Sequence, residues 1–152
     1  MNLEDMIQDL KKAPKLNRVI IVNKKSSKYL KEFEKLNIEP INLSLELSQL
    51  VEGLPEEDKK HEGLDILIKF LESLVDEIIP LDNVQYVFSK EVGKINLLSR
   101  LNYFTREGKV VILLFNGKLI GNNLIYSEDG KEDHMVMDIS QNEYVLGWDN
   151  EN

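Results

Sequence analysis

The chain has 152 residues, 42% hydrophobic and 30% charged, with a net charge of −8 at neutral pH and no cysteine. That length suits one domain with a real core, and the missing cysteines exclude disulfides, thiolate metal ligands and a nucleophilic thiol. No run approaches the roughly 20 apolar residues that span a bilayer, and the acidic balance weighs against a strong nonspecific hold on nucleic acid, which needs clustered cations.

Leu3, Met6, Ile7 and Leu10 recur at helical spacing and predict a helix over 2–12, ended by Pro14. This start lacks the apolar h-region and small-residue cleavage site of a signal peptide, so the expected compartment is the cytoplasm. Residues 1–35 carry nine Lys or Arg against five Asp or Glu, a net of +4 that leaves −12 for the remainder. This basic stretch includes Lys11, Lys12, Lys15, Arg18, Lys24, Lys25, Lys28 and Lys31. It reads either as a solvated helix face or as a contact for an anion or a phosphate backbone.

Val19-Ile20-Ile21-Val22 is a short β-branched run and predicts a buried strand. The polar segment from Asn23 follows, with Ser26 or Ser27 positioned to cap a helix whose apolar stripe is Leu30, Phe33 and Leu36. Asn37 closes that helix and Pro40-Ile41-Asn42-Leu43 opens a second strand, which alternation at Leu45 and Leu47 carries toward a helix near Ser44–Ser48. The charged run from Pro55 to Lys60 predicts an exposed loop, and Leu64, Leu67, Ile68, Leu71 and Leu74 a further helix.

Ile78-Ile79-Pro80-Leu81-Asp82 predicts a third strand ending in an acid, although Pro80 is unfavourable in a central strand. Ile95, Leu97, Leu98, Leu101 and Phe104 predict a helix closed by Gly108, with Tyr103 and Phe104 as packing residues. Lys109–Phe115 is the strongest strand, and its continuous apolar character says that both faces are covered. Short antiparallel strands are expected at Lys118–Tyr126 and Met135–Ile139, linked by Glu128-Asp129-Gly130. Trp148 either docks on the body or reaches a partner.

The βα alternation implies a mostly parallel sheet with helices on both faces, in three layers. Ligands of such sheets sit beyond the carboxyl ends of the strands. The places to inspect are therefore the loop after Val22, Asp82 and Asn116.

A phosphate-binding loop follows the pattern G-x-x-x-x-G-K-[ST], with glycines that let backbone N–H groups curl around the anion and a hydroxyl for Mg²⁺. The corresponding window runs from Val22 to Tyr29. Lys28 matches, Val22 and Ser27 replace the glycines, and Tyr29 replaces the hydroxyl residue. Ser26, Ser27, Lys28 and Tyr29 are the candidate nucleotide-binding residues of the loop. Asp82 stands where a metal-orienting acid belongs, or caps the turn with Asn83. Asn116 ends the longest strand where a γ-phosphate sensor sits, or forms a hairpin turn with Gly117. His61 and His134 read as surface residues, and no catalytic triad or metal motif stands out.

The block Ile41-Asn42-Leu43-Ser44-Leu45-Glu46-Leu47-Ser48 followed by Leu54-Pro55, the block Leu81-Asp82-Asn83-Val84, the strand ending in Asn116-Gly117, and Leu124-Ile125-Tyr126-Ser127-Glu128 resemble, in order and spacing, BrxF. That family comprises the small P-loop proteins of BREX phage-defence systems, and the resemblance runs from about residue 16 to residue 140. It implies a single P-loop NTPase-like domain over 1–152, with an N-terminal helical segment (1–14) and a β addition (118–140). Lys28, Asp82 and Asn116 would occupy the nucleotide-site positions, with ATP and Mg as the implied cofactors and Asp82 as the metal residue. The chain departs from the family's glycine-rich loop at Val22, Ser27 and Tyr29. The resulting expectation is a cytoplasmic accessory protein that assembles with other defence-system proteins, or with itself, and is not an active ATPase alone. Two alternatives stand beside it: an ATP-binding or ATPase module completed by a partner subunit, and nucleic-acid contact through the basic N-terminal segment.

Overall fold

The computed structural model describes residues 1–12 and 17–148. Pro14, Lys15 and Asp149 lie outside those residues. Apolar runs too short for helices become the strands β1 (Val19–Asn23), β2 (Ile41–Asn42), β3 (Ile78–Asp82) and β4 (Val110–Phe115). Between them lie α1 (Leu3–Lys12), α2 (Ser27–Lys35), α3 (Leu43–Val51), α4 (Glu56–Ser73) and α5 (Leu97–Phe104). The tail adds β5 (Lys118–Ile120), β6 (Asn123–Tyr126), β7 (Met135–Asp138) and β8 (Tyr144–Leu146).

Five strands form one sheet in the order β2-β3-β4-β1-β8, and every pairing in it is parallel. Alternation along the strands sends side chains to two cores. Ile20, Val22, Ile112 and Leu114 meet α1 and α2, while Val19, Ile21, Leu81, Val111 and Leu113 meet α3, α4 and α5. All six residues of β4 are buried, as a strand covered on both faces requires. The expected three-layer α/β arrangement follows directly. β5, β6 and β7 form a separate antiparallel sheet.

Several expectations change. Leu43–Val51 is a helix, because Asn42 caps it through Leu45 N–H at 3.1 Å and Leu43, Leu47 and Val51 bury one face at a spacing of four. The charged run after Pro55 is no loop but the first turns of α4, with Glu56, Glu57 and Asp58 at the positive end of the helix dipole. His61 consequently lies on α4, 3.4 Å from Glu57 one turn earlier. Pro80 is accommodated because β2 pairs only with Leu81 and Asp82, which leaves β3 an unpaired edge where an N–H is not needed.

Asn116-Gly117 makes no hairpin, since β4 and β5 belong to different sheets. The hairpin turn falls instead at Gly121-Asn122, where Gly121 takes a φ of 61°. Tyr103 is 70% exposed and lies under the Arg106 guanidinium, 5.1 Å from its ring centroid, so it is not a core residue. The unpredicted strand is β8, which lies beside β1 with Ile20 opposite Tyr144 and Val22 opposite Leu146.

Candidate functional site

Because β1, β3 and β4 run parallel, their carboxyl ends bring the turn after β1, Asp82 and Asn116 to one end of the sheet. That turn is short. Only Lys24, Lys25 and Ser26 separate β1 from α2, since Val22 and Asn23 belong to the strand and Ser27, Lys28 and Tyr29 to the helix. Its N–H groups are spent inside the protein: Lys24 N–H on Phe115 O at 3.0 Å, Lys25 N–H on Asn23 Oδ1 at 3.0 Å and Ser26 N–H on Asn23 O at 3.0 Å. Ser26 Oγ caps α2 by accepting from Tyr29 N–H at 3.4 Å.

A phosphate cradle needs such N–H groups pointing at the anion. Here the N–H groups of Lys24, Lys25 and Ser26 are taken up within the protein, and the helix begins at Ser27, inside the window aligned to the motif. The C-terminal segment covers the turn. Asn23 Nδ2 donates to Gly147 O at 2.9 Å, and a Cβ on Gly147 would fall 2.7 Å from Ser26 Cβ. Trp148 docks alongside, its Nε1 donating to Gly117 O at 3.0 Å and its ring 6.5 Å from that of Phe115.

The cation at this end of the sheet is Lys24 and not Lys28. Lys24 Nζ sits 2.7 Å from Asp82 Oδ1 and 3.4 Å from Asn83 Oδ1. Lys28 is exposed on α2, its ammonium 5.0 Å from the ring centroid of Tyr29, which packs toward the opposite core. Of the predicted residues, then, Asp82 and Asn116 come together, Ser26 serves as a helix cap, and Ser27, Lys28 and Tyr29 stand apart. Sequence reasoning missed Lys24, whose one signal was its place immediately after a buried strand.

Asp82 Oδ1 also accepts from Asn83 N–H at 2.7 Å, across a residue held at a φ of 49°, a left-handed conformation that Asn tolerates. Both contacts fall on Oδ1 of the Asp82 carboxylate. Among the described residues no group of three or more His, Asp or Glu is placed to hold a metal ion.

Beside the ion pair lies a cavity of about 250 Å³, lined by Lys24, Asn83, Val84, Gln85, Asn116 and Tyr126 among others. Tyr126 lines this cavity, and burial, with a smaller contribution from Asp133, raises the pKa of its hydroxyl. The lining combines three carboxamides and a phenol with a cation already answered by a carboxylate. It offers hydrogen bonds, not net charge.

Lys24 and Asp82 are both largely withdrawn from solvent, with side chains 32% and 19% exposed. A double-mutant cycle with Lys24→Ala and Asp82→Ala should give a coupling of about 1 kcal/mol in denaturant unfolding, a charged hydrogen bond reduced by partial solvent screening. Additive effects of the two substitutions would contradict the pair's role.

Three cations of the basic stretch are engaged within the protein. Lys11 pairs with Glu77 at 3.2 Å, Lys24 with Asp82, and Arg18 donates to Leu10 O and Thr105 O at 3.0 Å each. Among the described residues no helix is long and apolar enough to cross a membrane.

The fold and site define an α/β protein with a parallel five-stranded sheet and a closed turn at the end of β1. No family model matches the chain, and no curated protein or solved structure proves similar to it.

Proposed function

We propose that this chain is an accessory protein of a bacterial anti-phage system of the BREX type. In this reading a P-loop NTPase-like sheet serves as a scaffold, and the protein acts mainly through assembly with other defence-system proteins. The observation that carries the proposal is the turn after β1. It follows the first strand, where a phosphate loop would lie, yet its N–H groups are used internally and its Lys24 is paired with Asp82.

The blocks that resemble BrxF support the lineage, because two of them meet in space. Ile41 pairs with Leu81, and Ser44 N–H donates to Asn83 O at 2.8 Å. Deleting the gene from a host that carries the whole system should abolish protection against phage. Restoring it as Lys24→Ala should return that protection, and failure of this variant while it remains folded would argue for an active nucleotide site.

A second reading, an ATP-binding module completed by a partner subunit, draws on the cavity beside Lys24 and Asn116 at the strand ends. Calorimetric titration with Mg·ATP would then show heat only when partner proteins are present. A flat trace with every partner added removes this reading.

A further inference from the structure

The outward face of the small sheet carries three apolar residues, Ile120, Ile125 and Val136, where an exposed antiparallel sheet normally presents polar ones. Leu119, Leu124 and Met137 form one row across it and pack inward. Alternation turns the flanking rows outward: Lys118, Ile125 and Val136 on one side, Ile120, Asn123 and Asp138 on the other. Ile120 is 61% exposed and Val136 44% exposed. β5 and β7 each bond only to β6, so both outer edges of this sheet are unpaired.

Along the same face runs a groove of about 440 Å³, bordered by Ile120 and Ile125 together with Lys25, Lys118, Glu128 and Asp129. Two cations and two anions thus line one groove, and none of the four makes an ion pair within 4.0 Å among the described residues. An apolar centre beside unpaired charges of both signs is complementary to itself. A two-fold axis through such a patch brings the basic residues of one copy to the acidic residues of the other. A polyanion such as nucleic acid would meet Glu128 and Asp129, and an anionic lipid surface would meet the same carboxylates.

We infer that two copies of this chain associate through the outer face of the β5–β6–β7 sheet, about a two-fold axis. Ile120, Ile125 and Val136 form the buried centre, and Lys25 and Lys118 of one copy pair with Glu128 and Asp129 of the other. The contact draws on Lys25 of the turn after β1 but not on Lys24 or Asp82, and it requires no nucleotide.

Sedimentation velocity over a wide concentration range tests this. The wild-type protein should shift from monomer to dimer as concentration rises, and less readily at high salt. Val136→Asp and Ile120→Asp, both at exposed positions, should remain monomeric with an unchanged circular dichroism spectrum. Lys25→Glu with Lys118→Glu should weaken the dimer, as should Glu128→Lys with Asp129→Lys. Mixing these two charge-reversed proteins should restore it. The substituted side chains of one protein then face those of the other with opposite sign, while the second, symmetry-related contact keeps its native charges. A wild-type protein that stays monomeric at the highest concentration overturns the inference. So does a dimer indifferent to these substitutions, or a mixture that fails to re-form it.

Discussion

Phe115→Ala is expected to be the most damaging single substitution at this end of the molecule. Phe115 ends β4 and is 1% exposed. Its ring lies 6.3 Å from those of both Phe88 and Tyr126, edge-on to each, and 6.5 Å from Trp148. It therefore joins the main sheet, the residues after Asp82, the small sheet and the C-terminal segment. Removing a buried Phe costs about 3–5 kcal/mol through lost contacts and the cavity left behind. For a chain of this length the melting temperature should fall by roughly 10 °C. Trp148, the single tryptophan, should shift its emission to longer wavelength as its packing partner goes. A variant that melts within a degree or two of wild type would show that this junction does not hold the two sheets together.

The second large effect concerns Gly147. It adopts a φ of 95°, and a Cβ there would meet both Ser26 and Asn23 at or below 3.1 Å. Gly147→Val combines a backbone conformation that side chains rarely adopt with a steric collision, at about 2–4 kcal/mol in all. The loss should be local: β8 and Trp148 come away from β1 while both cores persist. Limited proteolysis should clip the variant near its C-terminus well below its global melting temperature, where wild type resists. Unchanged cleavage would mean that the segment does not depend on this close approach.

How far the fold could be read from the residues follows from what each signal measures. Continuous apolar runs such as Val110–Phe115 report a strand buried on both faces without help from distant partners. The stripe Leu3, Met6, Ile7 and Leu10 does the same for α1, and all four residues are buried. Leu43, Leu45 and Leu47 satisfy an alternating and a helical pattern equally over five residues. The Asn42 cap, a side-chain hydrogen bond, decides between them. β8 was illegible because its three residues are only half-buried at a sheet edge, where pairing with β1 and not apolar content makes the strand.

The candidate site was half legible for a related reason. The rule that ligands gather beyond strand ends selected Asp82 and Asn116, and both line up at one end of the sheet. Motif alignment then fixed attention on Lys28, counting residues from Val22. Where β1 ends and α2 begins decides which lysine faces Asp82, and β1 runs through Asn23. A turn of three residues places Lys24 against the acid and carries Lys28 onto the exposed side of α2. Nor could spacing reveal that Gly147, more than a hundred residues later, would cover that turn.

The central claim is that the turn after β1 is closed by the protein's own groups. Phosphate release from Mg·ATP by the purified chain, measured side by side with Lys24→Ala and Lys28→Ala, tests it most directly. The expected result is no release above the buffer rate for any of the three. Turnover by the wild-type protein that either lysine substitution abolishes would contradict it, because the turn would then have to open and present its N–H groups to the nucleotide.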